Sequence, residues 1–356
     1  MSTSIIKRDS NFELLRIICM VMIIMGHLGI KFSSGTINSL AYIETHLLRS
    51  FTIVAVNVFV LISGYFSISY KMPRLLKLIE QTWFYSVGLF FLALLLGWHS
   101  LEPRKDIFYF VPIFGKLFWF ITIYVILYIL SPILNKLAFS LTKEKFKAIL
   151  LVGFFIIYVW HTFGFILNTK MPFEDAGYGV PNFIYLYLLG RYFRMHFDVT
   201  SSKHSYFLFY VLISLALFAF QYAYSWVLGF SFTSLFSYNT LFVFWGAVML
   251  FLSFAKLKLV YNKFINDWAK YCLAVYIIHM HPLIWDKICS FIYLYDVNPV
   301  WFIPYAILIS VVLYFILATI ERIRVFLLGR IEDRLNGIIV NSKFASKVNN
   351  IIKLEV

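Results

Sequence analysis

The residues best equipped for chemistry in this sequence sit where apolar side chains prevail. The first set is Asn11-Phe12-Glu13-Leu14-Leu15-Arg16, followed by the apolar run 17–26 and then His27. Charges inside such a run are costly and face a cavity or a partner. Glu13 and Arg16 are three apart, share a helix face and can pair. His27 follows Arg16 by eleven residues, a rise of about 16 Å and roughly three turns, so the two project to similar sides. The plainer reading of the same residues is a structural histidine near a helix end and an arginine whose stem snorkels to the interface.

Further along, the run from Asn57 to Phe66 contains Ser63, Gly64 and Tyr65. Ser63 has no base within reach by sequence, and the small pair Ser63-Gly64 lets another helix approach closely. Asn57 suits a hydrogen bond between helices. Trp119 opens another run as an interfacial aromatic would. Tyr124 and Tyr128 are four apart and line one face. The stretch Tyr276-Ile-Ile-His279-Met-His281-Pro282 holds two imidazoles two residues apart. That spacing puts them on different faces, so a two-histidine metal site on one helix is not expected. Pro282 is expected to kink the helix and free a carbonyl near His279, which makes His279 a cavity residue. A polar loop with Lys71, Arg74 and Lys77 would suit phosphates, and the basic bias of cytoplasmic loops explains it equally well. Cys19, Cys272 and Cys289 lie in apolar stretches without metal-ligand spacing and read as small buried hydrophobes.

Composition sets the elements that must hold these residues. Of 356 residues, 62% are hydrophobic and 13% charged, and the mean hydropathy is +0.83. No soluble fold of this length hides so much apolar side chain, so the bilayer is the solvent for most of it. A soluble enzyme, a disordered chain and a secreted disulfide scaffold are excluded. The expected architecture is all-α, a polytopic transmembrane helical bundle of about ten spans. They lie near 12–31, 50–70, 76–98, 117–135, 147–167, 181–196, 205–224, 236–255, 268–288 and 300–321, the sixth being the shortest. The first run has no small-residue cleavage site and is expected to be a retained span. Residues 1–356 read as one integral-membrane domain, with 322–356 as a basic cytoplasmic tail. A net charge of +14 would suggest nucleic acid in a soluble protein, but here it is first a topology signal, and no nucleic-acid partner is expected. With both termini in the cytoplasm, 24 of the 31 Lys and Arg fall inside and 7 outside, Arg49 among the latter, and loop Lys and Arg resist translocation. Small pairs such as Ser63-Gly64 serve packing within or between chains alike, which leaves a homo-oligomer open.

Together these stretches resemble the integral-membrane acyltransferase family 3, which includes bacterial O-acetyltransferases of surface polysaccharides. Glu13-Leu-Leu-Arg16 and the spacing Arg16-x10-His27 match the family's basic-x10-His signature. Residues 56–66, Trp119-Phe-Ile-Thr-Ile-Tyr124, Leu130-Ser-Pro-Ile-Leu-Asn135, residues 181–191 and Ala274-Val-Tyr-Ile-Ile-His279 follow in order through most of the chain. The resemblance implies a multi-pass protein of the bacterial cytoplasmic membrane. It would take an acyl group, most often acetyl, from cytoplasmic acetyl-CoA or another acyl-CoA and deliver it to a hydroxyl of a cell-surface or lipid-linked polysaccharide. Its partners would be membrane lipid and that glycan, and no metal is implied. On this resemblance His27 is catalytic, Arg16 holds the donor or orients the core, and Glu13 stands with them. Arg16, Lys71, Arg74 and Lys77 are the expected donor-binding set. Asn57, Ser63, Tyr65, Trp119, Tyr124 and His279 are the expected substrate cavity. The family's Arg-x-x-Arg element reads Arg74-Leu-Leu-Lys77 here, and the lysine lacks the bidentate geometry of arginine.

A sugar hydroxyl ionises far above neutral pH and attacks a thioester slowly. A neutral imidazole within hydrogen-bond reach takes its proton in the transition state. Alternatively, His27 accepts the acyl group itself and passes it on. Two other readings use the same residues. A transporter or flippase for a lipid-linked glycan would use the basic, aromatic cavity as a path and would show span repeats, none of which is visible by eye. A sensor or scaffold without chemistry would need an output domain.

Overall fold

The computed structural model describes residues 9–32, 36–37, 39–115, 117–167, 175–199, 205–229, 231, 233–292 and 301–342. Lys7, Arg8, Lys116, Lys170, Lys203, Lys343, Lys347 and Lys353, which enter the charge sorting, lie outside the described residues. The chain forms α1 (Ser10–Lys31), α2 (Leu40–Thr52), α3 (Ala55–Phe66), α4 (Met72–Leu95), α5 (Pro103–Phe110), α6 (Trp119–Ser140), α7 (Lys143–Phe154), α8 (Trp160–Ile166), α9 (Val180–His196) and α10 (Tyr206–Leu228). It continues through α11 (Leu241–Lys256), α12 (Lys263–Trp268), α13 (Cys272–Met280), α14 (Pro282–Ile292) and α15 (Phe302–Val340). No strand occurs among the described residues. Helices satisfy every backbone group internally, as a hydrocarbon solvent demands. Eight helical stretches are long and apolar enough to cross a membrane, and the fold is an all-α polytopic bundle.

The expected sixth span keeps its bounds, and three others come out differently. The expected sixth span is α9, with 17 residues, fewer than the roughly 20 that a straight crossing takes. The expected ninth span is split into α12, a 3-10 turn at Ala269–Tyr271, α13 and α14. Pro282 does not kink a continuous helix. It starts α14, because proline cannot donate to the preceding turn yet fits a first helical position. The second span is longer than expected, since α2 and α3 make one apolar stretch, Leu40–Phe66. Arg49 therefore lies in a helix, not in an external loop. Finally, α15 runs on to Val340, so the first part of the expected tail is helix packed on α4.

That last contact is polar. Arg324 donates to Glu321 at 2.7 and 2.9 Å and also to Glu332. Tyr85 and Gln81 of α4 donate to the same Glu321 carboxylate at 2.6 and 2.8 Å. Asn336 reaches Glu80 at 2.7 Å.

α1 sits at the centre and touches α2, α3, α11, α12, α13 and α15. Its Leu15, Cys19, Ile24 and Leu28 are fully buried, which fixes the rotation of the helix and hence the direction of Arg16 and His27. α3 and α9 pack most closely where each carries glycine. A Cβ on Gly64 would strike the Tyr187 carbonyl, and one on Gly190 would strike that of Leu61. Such backbone approach is the use of small residues in membrane interfaces.

Candidate functional site

His27 on α1 and His279 on α13 meet, with Nδ1 of His27 3.1 Å from Nε2 of His279. The other nitrogen of His279, Nδ1, is 2.7 Å from the Val275 carbonyl. A carbonyl can only accept, so that Nδ1 carries a proton. In the neutral ring Nε2 is then an acceptor, and it takes a proton bond from His27 Nδ1. His27 Nε2 is left with a lone pair. The order Val275 carbonyl, His279, His27 thus fixes one tautomer of His27, the form that can abstract a proton. Trp285 of α14 closes on both rings, edge to face, at centroid distances of 6.2 and 5.8 Å. His279 is fully buried and His27 partly so. His281 points elsewhere: its Nε2 meets the Ser86 carbonyl at 3.1 Å and its ring stacks on Tyr109. No group of three or more metal-ligating side chains occurs among the described residues.

A cavity of about 310 Å3 runs along α1 between Arg16 and the turn below His27. Arg16, Met20 and Ile23 form one wall, and Val56, Phe59 and Ser63 of α3 another. Leu78, Phe120, Tyr124, Lys270, Cys272, Leu273 and Tyr276 complete it. Its walls are mostly apolar and its basic groups lie at one end. There Arg16 is held by Glu13 at 2.5 Å, a pair whose carboxylate is buried and whose guanidinium is partly open. Lys270 pairs with Asp267 at 2.6 Å. Arg74 stands four residues before the cavity residue Leu78, on the same face of α4, and Lys71 caps the start of that helix. Lys77 is turned away and meets Asp333 at 3.5 Å, both groups well exposed.

The loop carrying Lys71 is pinned from two helices, α6 and α9. Asn135 accepts from Ser67 Oγ (3.0 Å) and Tyr187 (2.8 Å) and donates to the Ile68 carbonyl (3.0 Å). The Ile68 amide donates to Tyr187 and the Lys71 amide to Tyr128, at 2.9 and 3.0 Å. Ser67 itself takes φ +62, a strained conformation that such surrounding bonds can hold.

The expected residues fall into groups. Glu13, Arg16, Ser63 and Tyr124 lie on or at the cavity, and His279 pairs with His27 one turn above it. Ser63 donates to the Phe59 carbonyl at 2.9 Å and lies 3.4 Å from the Tyr124 hydroxyl. Asn57 is elsewhere and donates to the Tyr238 carbonyl at 2.8 Å. Trp119 packs on Tyr178 and Tyr238. Tyr65 packs on Phe12 and accepts from Arg194 at 3.2 Å. Lys270, Phe120, Tyr276 and Trp285 were not singled out as cavity residues by sequence. Tyr276, three residues before His279 and so on its helix face, carried the one signal that could have found them.

Every stretch quoted for the family resemblance reaches this region: α1 with Arg16 and His27, α3 with Ser63 and Gly64, α6 with Phe120, Tyr124 and Asn135, α9 with Tyr187 and Gly190, and α13 with Tyr276 and His279. Comparison with known families matches residues 9–319 to one described as an acyltransferase domain. Comparison with curated proteins and with solved structures gives no significant match.

Proposed function

The chain belongs to acyltransferase family 3, and from that premise we propose that this membrane acyltransferase moves an acetyl group from cytosolic acetyl-CoA to a hydroxyl of a cell-surface or lipid-linked polysaccharide at the bacterial cytoplasmic membrane. The observation that carries the reading is the Val275–His279–His27 chain at the head of a cavity with a basic mouth. The cavity fits a thioester carrier: an apolar channel for the pantetheine arm, with Arg16, Lys270, Arg74 and Lys71 left for the phosphates.

His27 Nε2 takes the proton of the acceptor hydroxyl as its oxygen attacks the thioester carbonyl carbon. The new carbon–oxygen bond forms, the carbon–sulfur bond breaks, and the proton passes from His27 to the departing thiolate. Products are the sugar ester and the free thiol of CoA. While His27 is charged, its Nδ1 proton bond to His279 spreads the charge within a medium where such bonds are strong. Dry walls limit loss of the thioester to water.

The test is the mass and position of ester groups on the host's envelope glycans, with the native protein and with His27→Ala. Loss of specific esters at normal protein level is expected. Normal acylation in the variant would sink the mechanism. Retained acylation with blocked glycan export on deletion would favour a flippase.

A further inference from the structure

Arg49 of α2 carries a guanidinium with no ion pair and no hydrogen bond among the described residues, and its Nε is buried. It lies over the Phe236 ring, 4.6 Å from the centroid. α2 packs along α1 so that Thr52 stands against Gly26, and Thr45 and Leu48 against Gly29. Arg49 falls between these residues in sequence, so it lies at the level of His27. The same helix face offers a second orphan three residues earlier. His46 Nδ1 donates to the Tyr42 carbonyl at 2.9 Å, which leaves its Nε2 an acceptor, and that atom is buried without a partner.

A cluster of aromatic rings stands near this pair, with Tyr178 and Tyr238 within electrostatic reach of Arg49. Tyr178 is 43% exposed and Tyr238 8%. Their rings are 4.9 Å apart, and both pack on Trp119, at 4.5 and 5.7 Å. All of these residues lie at the end of the bundle opposite the basic mouth of the cavity. A half-buried guanidinium whose Nε is out of reach of water, with no counterion among the described residues, is costly to keep. A carboxylate or phosphate would meet its fork with two charge-assisted bonds, and a hydroxyl beside it would donate to His46.

Building on the acyl-transfer reading above, we propose that Arg49, His46 and the Trp119–Tyr178–Tyr238 cluster bind the acceptor from the external side, and that the acceptor is a glycan bearing an anionic group, carboxylate or phosphate. Substrates then approach His27 from opposite ends, the donor along α1 and the acceptor along α2.

The experiment uses cells carrying the full chain as native protein, Arg49→Gln, Arg49→Lys or His27→Ala. Envelope glycans are separated by anion exchange into neutral and acidic fractions, the acidic one is divided by phosphate content, and esters are counted in each. Esters that disappear with His27→Ala are expected in an acidic fraction. They should fall by about tenfold or more in Arg49→Gln, the scale of a lost charge-assisted bond, and partly return in Arg49→Lys. The fraction that holds them tells carboxylate from phosphate. His27-dependent esters found only on neutral glycan, or unchanged in Arg49→Gln, overturn the proposal and leave acyl transfer standing. If no ester depends on His27, the functional reading falls and this proposal with it. Should Arg49→Gln fail to accumulate, Arg49→Lys and the partition between fractions decide.

Discussion

Arg324 and Arg49 are both arginines inside a helical bundle, and their surroundings are opposite. Arg324 is forked onto Glu321 and also meets Glu332, and Glu321 takes further bonds from Tyr85 and Gln81. Arg49 has an aromatic ring beneath it and no carboxylate partner among the described residues. A fully satisfied cluster joins α15 to α4 and has nothing left to offer a ligand. Arg49, with a ring contact alone, keeps its hydrogen-bonding capacity for a ligand. Removing one member of a buried ion cluster strands the others, so the two regions should fail in different ways.

His27→Ala should have the largest effect. Acyl transfer should fall by about 10^2 to 10^4, the usual worth of a general base, while the unfolding midpoint of the purified protein stays put. A variant that unfolded instead would place His27 with Arg324 among the structural groups. Arg324→Leu should do the reverse, at a cost of about 3–5 kcal/mol of stability. Thermal unfolding would report it, and transfer per folded molecule should be unchanged. A loss of rate without loss of stability would break the contrast. His279→Phe should slow transfer by about ten- to a hundredfold, as removal of a group that orients another does, with the donor KM unaltered. Ser63→Ala is the smallest: less than about 1 kcal/mol in either measurement, since its hydroxyl bonds within its own helix. A collapse of activity there would revive Ser63 as a nucleophile.

How much of this was legible depended on sequence distance. Arg16 and His27 lie on one helix, and eleven residues of spacing fixed their shared side. His279 was visible as a polar residue in an apolar run, but its pairing with His27 spans 252 positions, and no local pattern encodes that. By sequence Arg49 falls among the external loop charges, because Glu44, Thr45, His46 and Arg49 lower the apolar character of residues 40–49. In the fold Glu44, Thr45 and His46 are buried against neighbouring helices. Lys270 counted only as one more basic residue, because a 3-10 turn and its Asp267 partner are what bring it to the cavity. The expected ninth span was legible as apolar chain, and its break at Pro282 as a perturbation, but the choice between a bend and a fresh start depends on how α13 and α14 pack.

α1 contains no proline and runs without a break from Ser10 to Lys31. Its neighbours are jointed, α2 to α3 at Ile53–Val54 and α13 to α14 at His281. In mechanical terms α1 is a strut, and the length between its arginine and its histidine is expected to hold through any cycle. Opening and closing around substrates then belongs to the jointed helices. Distance labels placed at the two ends of α1 would hold their separation, and labels on α14 would move relative to both.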